Sequence, residues 1–271
     1  MIDQAYLLGK QYRDASNLNA RAALHIRFST NPYGWCRWVF DQLRLPSPGR
    51  VLELGCGPGG LWAENQERIP ADWEIVLSDF SAGMLAAAVQ SLSCLDRPFM
   101  SEIADAQAIP FAGASFDGVI ANHMLYHVPD LDRALSEIRR VLRPGGRLYA
   151  ATNGQDHMRE LFVLGRRFEL DDYGAAELDG DNRPSISFSL ENGQEQLARW
   201  FADVTLHRYE DALCVTEVEP LVAYIRSYRF SPTQPALAED RVPALREFVE
   251  RELAQRGAFH ITKSPGMFIA S

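Results

Sequence analysis

The sequence predicts an α/β domain built on a doubly wound, mainly parallel sheet that ends in an antiparallel strand. Three observations predict it. From Arg50 the 271-residue chain alternates short apolar runs with helical patterns, an order that places helices on both faces of a parallel sheet. The first run, Val51-Leu52-Glu53-Leu54, leads straight into Gly55-Cys56-Gly57-Pro58-Gly59-Gly60, a turn whose glycines accept positive φ and let a ligand approach bare backbone. Polar residues, Glu53, Asp79, Asp105 and Asn122, fall at or just beyond the ends of successive strands, and ligands of open α/β sheets bind outside the carboxyl ends of the strands.

Residues 1–45 read as helical, with Leu18, Ala22, Ile26, Trp35, Trp38, Val39 and Leu43 at helical spacing, until Pro46-Ser47-Pro48-Gly49 breaks the pattern. This segment forms a lid, and 46–271 the main domain. Val51–Leu54 is the first strand and Glu74–Asp79 the second. A helix follows with Ser81 as N-cap and Met84, Leu85, Ala88, Val89 and Leu92 inward. Phe99–Ile103 and Phe116–Ala121 are the third and fourth strands. Leu131–Leu142 is an amphipathic helix stopped by Arg143-Pro144-Gly145-Gly146, and Arg147–Ala151 is the fifth strand. The pattern then lapses over about 153–200, read as an insertion across the open edge of the sheet. Val204–Tyr209 resumes as a strand. Thr216-Glu217-Val218-Glu219 has capping-box spacing and opens a helix to about Tyr228, with another near Ala244–Gln255, so that 217–256 forms a second insertion. Phe259–Lys263 and Met267–Ala270 read as a terminal strand or hairpin around Ser264-Pro265-Gly266.

Composition narrows the function. The formal net charge is −9, and a chain that grips a nucleic-acid backbone usually shows a basic surface; no nucleic-acid partner is expected. No apolar run is long enough for a membrane span. Met1-Ile2-Asp3-Gln4 lacks a basic region followed by an apolar one. The four cysteines, Cys36, Cys56, Cys94 and Cys214, are scattered without a CxxC, against a disulfide framework or a metal site. A cytoplasmic setting is expected.

The glycine turn admits two ligands. Gly55, Gly57 and Gly60 satisfy G-x-G-x-x-G, a dinucleotide fingerprint, which would make an NAD-type oxidoreductase. Glu53 argues otherwise, because a carboxylate beside the turn repels pyrophosphate and suits a ligand carrying ammonium and sulfonium charge, S-adenosylmethionine (SAM).

The ordered set Val51–Gly59, Ser78-Asp79-Phe80-Ser81-Ala82-Gly83-Met84-Leu85, Ala104-Asp105-Ala106-Gln107-Ala108-Ile109-Pro110-Phe111 with Ser115-Phe116-Asp117, and Arg140-Val141-Leu142-Arg143-Pro144-Gly145-Gly146 resembles the class I SAM-dependent methyltransferases. It is most similar to their type 11 group, allied to ubiquinone and menaquinone biosynthesis, over roughly Arg50 to Thr152. The resemblance implies a Rossmann-like fold, SAM as cofactor with S-adenosylhomocysteine (SAH) as product, and a small-molecule acceptor methylated at O, N or C. It implies that Glu53 organises the methionine end, that Gly55, Cys56, Gly57 and Gly59 give backbone room, and that Asp79 takes the two ribose hydroxyls. Phe80 and Met84 would then pack on the adenine, Asp105 and Ala106 would contact its amino edge, and Asn122 would lie near the methionine ammonium.

Direct displacement at a sulfonium needs alignment and exclusion of water, and needs a base only where the nucleophile holds its proton. The candidates for chemistry are His123 and His127, in Asn122-His123-Met124-Leu125-Tyr126-His127. This stretch lacks an Asn/Asp-Pro-Pro-Tyr/Phe sequence, which counts against amide or nucleobase amino groups as acceptors. In the lid, Tyr12 and Arg27 are candidates for the methionine carboxylate, whereas Trp35 and Trp38 read as packing. His157, Arg166, Asp171 and Tyr173 are candidate pocket residues. A non-catalytic SAM-binding protein remains the alternative of a different class.

Overall fold

A computed structural model describes residues 16–173, 186–227 and 237–271. The elements run α1 (Ser16–Phe28), α2 (Trp35–Gln42), β1 (Gly49–Leu54), α3 (Gly60–Ala63), β2 (Trp73–Asp79), α4 (Ala82–Leu92), β3 (Met100–Ile103), β4 (Phe116–Asn122), α5 (Leu131–Val141) and β5 (Leu142–Asn153). They continue as α6 (Arg159–Tyr173), α7 (Gly193–Leu197), β6 (Val204–Arg208), β7 (Ala212–Val215), α8 (Val218–Ser227), α9 (Val242–Arg256), β8 (Phe259–Thr262) and β9 (Pro265–Ala270). Tyr12 and the side chains of Asp171 and Tyr173 lie outside the described residues.

The main sheet has seven strands in the order β3-β2-β1-β4-β5-β9-β6. β1 to β5 are parallel, and β9 runs antiparallel between β5 and β6. The chain winds outward from β1 through β2 to β3, then returns to β4 on the other side of β1. Order therefore reverses between β1 and β4, where an open α/β sheet leaves a crevice for ligands.

Alternating side chains of each strand serve opposite faces. Leu52, Leu54, Val119, Ala121, Leu148 and Ala150 pack with Leu135, Ile138 and Val141 of α5. Val51, Ile75, Leu77, Ile120, Tyr149 and Ala151 pack with Val39, Phe40 and Leu43 from the α2 region, Leu61 and Trp62 of α3, and Leu85, Ala88 and Leu92 of α4. Leu24 of α1 sits elsewhere, in a third core with Leu161, Leu164 and Phe168 of α6, Leu213 and Val215 of β7, Leu221 and Ile225 of α8, Leu245 and Val249 of α9, and Phe259 and Ile261 of β8. α1, α6, β7, α8, α9 and β8 thus share one core.

Several expectations need correction. Phe259–Lys263 and Met267–Ala270 do not form a hairpin: β8 pairs with β7 in a separate two-stranded sheet, while β9 enters the main sheet. Phe259 and Ile261 fill the third core, whereas Met267 and Phe268 fill the two faces of the main sheet, so the intervening turn crosses between two cores. Val89 is 47% exposed and Ile26 76% exposed rather than inward; each lies one or two positions off the stripe set by Ala88 and Leu24. The lapse after 153 hides α6, whose Leu161, Leu164 and Phe168 keep helical spacing. Glu219 does not close a capping box but takes the guanidinium of Arg246 on α9. Phe116 faces Leu142 and Gly118 faces Arg147, so 143–146 loop out of the β4–β5 register.

Candidate functional site

The site begins where β1 meets its glycine turn. Gly55, Gly57 and Gly59 have φ of 66°, 53° and 80°, left-handed values that side chains resist. At Gly55 a Cβ would also come within 2.8 Å of the Met124 side chain. The Cys56 amide donates to the Ser78 carbonyl at 2.9 Å, which ties the turn to the end of β2. Burial pushes the Cys56 thiol well above its usual range and keeps it protonated.

Asp79 ends β2. One carboxylate oxygen accepts the Gly57 amide at 3.0 Å and the other accepts the Ser81 amide at 2.8 Å. Ser81 itself caps α4, its hydroxyl accepting the Met84 amide at 3.3 Å. The cap thus falls to Ser81, and Asp79 retains acceptor capacity beyond its two amides. Burial raises its pKa, against the pull of those amides.

Glu53 lies buried on β1, accepting the Trp62 indole N–H at 2.6 Å. Burial lifts its carboxyl to about 8, with the charge of Asp79 adding to the rise and the Trp62 bond opposing it. A neutral, buried carboxyl that a cation would ionise fits a positively charged ligand and not a pyrophosphate.

The Ala104 amide donates to the Asp79 carbonyl at 3.2 Å, which brings the 104–107 turn beside β2. There Asp105 accepts both the backbone amide and the side-chain amide of Gln107, at 2.9 and 3.0 Å. Ala106 and Met84 are buried, while Phe80 is 39% exposed. Glu53, the glycine turn, Asp79, Phe80 and Asp105 therefore gather at one end of β1, β2 and β3. Among the described residues no His, Cys, Asp or Glu group of three or more is arranged to hold a metal.

On the β4 side, Asn122 accepts the Trp35 indole N–H at 3.3 Å, so α2 covers this strand end directly. His123 follows with φ of 56°, an uncommon conformation for a side-chain-bearing residue, and its ring lies 5.0 Å from Trp35. His127 lies edge-on to Tyr126 at 4.5 Å. Burial lowers both imidazoles to about 4, helped at His123 by Lys263 and at His127 by Arg21.

His157 accepts the Ser264 amide on Nδ1 at 3.1 Å and stacks on His25 at 6.0 Å. Burial, then Lys263, pushes His25 down to about 3, and burial with His25 pushes His157 well below its usual range. Arg166 lies on α6. Arg27, expected at the methionine carboxylate, instead pairs with Glu217 on the exposed surface, its Nη2 donating to both carboxylate oxygens at 2.7 Å.

Sequence reading passed over His25 and the buried Lys263–Asp211 pair. Asp211 also accepts the Ser29 hydroxyl at 2.7 Å and the Asn31 amide at 3.1 Å, which fastens the end of α1 to β7. One signal was available: the chain has only two lysines, Lys10 and Lys263, among 27 basic residues. A lysine kept at the end of an apolar alternation stands out against that background.

A methyltransferase domain model of type 11 matches residues 52–150. Among curated proteins, the ubiquinone/menaquinone biosynthesis C-methyltransferase of Hahella chejuensis is 36% identical over 118 residues, covering 42% of this chain and 47% of that protein. The demethylmenaquinone methyltransferase of Renibacterium salmoninarum is 30% identical over 177 residues, covering 63% of this chain and 71% of that protein. The chain spans about half the length of most curated relatives it matches. Among solved structures, a phosphoethanolamine N-methyltransferase from Haemonchus contortus in complex with SAM superposes with a TM-score of 0.57 at 18% identity, covering 98% of this chain and 58% of that one. The [4+2]-cyclase SpnF superposes with a TM-score of 0.56 at 18% identity, covering 98% and 94%. Both share the fold.

Proposed function

The chain belongs to the class I SAM-dependent methyltransferases, in their type 11 branch, and on that premise we propose that it transfers a methyl group from SAM to a small-molecule acceptor. The observation that carries the reading is the junction of Asp79 with the glycine turn, beside a buried Glu53 raised to about 8. SAM supplies the methyl group on its sulfonium. Asp79 would hold the ribose hydroxyls, with two amides already fixing its carboxylate. Glu53 would meet the positive methionine end, which favours its ionised form. Phe80, Met84, Asp105 and Ala106 would frame the adenine, and Gly55, Cys56, Gly57 and Gly59 the cofactor's path along the turn. Asn122, at the end of β4, would lie near the methionine ammonium.

His123 and His127 flank the acceptor side. With pKa values near 4 they are neutral at pH 7, so they are weak bases there and would serve an acceptor chiefly as hydrogen-bonding groups. Among the described residues no helix is long and apolar enough to cross a membrane, and a cytoplasmic site of action belongs to the same proposal. The curated relatives include C-methyltransferases and an O-methyltransferase acting on malonyl-[acyl-carrier protein], so the acceptor panel spans carbon, oxygen and nitrogen nucleophiles. The test is calorimetric binding of SAM and of NAD, then incubation with SAM and the panel, reading SAH and methylated product by mass spectrometry. SAM binding with turnover supports the proposal. SAM binding without turnover across the panel favours a non-catalytic binder, and preference for NAD overturns the reading.

A further inference from the structure

Beyond the carboxyl ends of β4 and β5, two imidazoles from distant parts of the chain stack, and a third lies near enough for its charge to act on both. His25 comes from α1, His123 from the end of β4, and His157 from the turn into α6. His25 and His157 stack at 6.0 Å, and His123 lies under Trp35 at 5.0 Å. Lys263 adjoins the group, one residue before the Ser264 amide that binds His157. All three residues keep some accessible surface. Yet the Nδ1 atoms of His25 and His123 are buried and have no hydrogen-bond partner among the described residues. Buried polar atoms are nearly always paired, and leaving one unpaired is destabilising. At His123 the left-handed backbone adds to that cost.

Resting on the methyltransferase reading, we propose that His25, His123 and His157 form the subsite that seats the methyl acceptor, and that this acceptor is an uncharged molecule presenting a hydroxyl group. The chemistry of the three rings carries the assignment. A neutral imidazole offers one donor and one acceptor. His157 accepts on Nδ1 from Ser264, so its proton sits on Nε2, where it is a donor. A hydroxyl both donates and accepts, and it satisfies His25 and His123 in either tautomer. An ammonium only donates and a carboxylate only accepts. Charge points the same way. The Lys263 ammonium is engaged by Asp211, itself held by Ser29 and Asn31. Paired in this way, it offers a ligand no free charge of either sign. Trp35 beside His123, and Tyr224 edge-on to His25 at 6.4 Å, add flat apolar walls.

The test uses the full chain, labelled with 15N-histidine and saturated with SAH. Phenol, benzoate and benzylamine share one ring and differ in the group they present. Phenol is expected to move the Nδ1 resonances of His25 and His123, while benzylamine leaves them in place. His25→Phe and His157→Phe are expected to keep SAH affinity within twofold, to melt at the same or a higher temperature, and to weaken phenol binding at least tenfold. Tighter binding of benzylamine or benzoate than of phenol overturns the proposal. So do imidazoles that none of the probes moves, or phenol affinity unchanged in both variants. Should a variant fail to fold, the resonances of the unaltered chain decide. Failure of SAH to bind removes the methyltransferase reading itself; SAH binding with unmoved imidazoles removes only the subsite.

Discussion

Asp79 accepts the backbone N–H of Gly57 at 3.0 Å across 22 residues of sequence. The carboxylate that ends β2 therefore also holds the glycine turn that ends β1. Replacing it acts twice, on a ligand and on the turn.

Asp79→Ala is expected to lower SAM affinity about ten- to a hundredfold, the equivalent of roughly 1.5–3 kcal/mol for a charge-assisted contact. Calorimetry on the folded variant measures it. An unchanged Kd removes Asp79 from the site.

Gly57→Val is expected to abolish SAM binding while the sheet stays folded. Its φ of 53° is a conformation that a β-branched residue resists, and the Asp79 contact depends on that turn. Circular dichroism checks the fold, and normal SAM binding would detach the turn from the cofactor.

Glu53 links binding to protons. Its folded carboxyl titrates near 8 against a usual value of 4.5. The neutral form is favoured in the fold, so its contribution to stability is full below pH 4.5 and is lost as pH rises through about 8. At pH 7 the group is mostly protonated, and cationic SAM favours its ionised form. Binding should therefore release up to about one proton. Calorimetry at pH 7 in phosphate and in Tris should give different enthalpies, and Glu53→Gln should abolish the difference. Equal enthalpies in the unaltered protein would sink the idea.

The histidines act in the opposite sense. His25 is lowered to about 3, and His123 and His127 to about 4, from 6.5. The stability they carry is present above pH 6.5 and is lost as pH falls toward 4. Between those limits each should contribute a slope of about 1.4 kcal/mol per pH unit. Urea midpoints at pH 7, 6 and 5 measure it, and His25→Phe should remove one proton from the slope.

Leu24→Ala should destabilise the third core by about 2–5 kcal/mol, the range for a buried leucine. Leu24 is fully buried there with residues of α6, α8 and α9. Hydrogen exchange should show the loss in α6, α8 and α9 before the main sheet. Equal loss in both would mean that the two cores unfold together.

The main sheet was legible because its signals are local. Val51–Leu54 and the glycines after it are adjacent, and Ser81 stands next to the helix it caps. The places of Glu53 on β1 and of Asp79 at the end of β2 were legible for the same reason. The third core was not, because Leu24, Leu161, Leu213, Leu221 and Phe259 reach it from across the whole chain, and no local period records which distant segments meet. The sequence names His123 and His157 but, on the same ground, does not bring His25 to them. Nothing local to His25 records that α1 packs it on His157. Arg27 was misplaced because an arginine near a ligand and an arginine near Glu217 are identical in sequence.

The hydrogen bond from Trp62 to Glu53 gives the protein a built-in optical gauge. Excitation of an indole moves electron density from its pyrrole ring toward its benzene ring, so a negative charge beside the N–H stabilises the excited state. Trp62 donates that N–H to Glu53 at 2.6 Å. Ionisation of Glu53, by alkali or by the arrival of a cation, should draw Trp62 emission to longer wavelength. A colour change within the unlabelled chain would then record the protonation state of a carboxyl that no solvent-borne probe can reach.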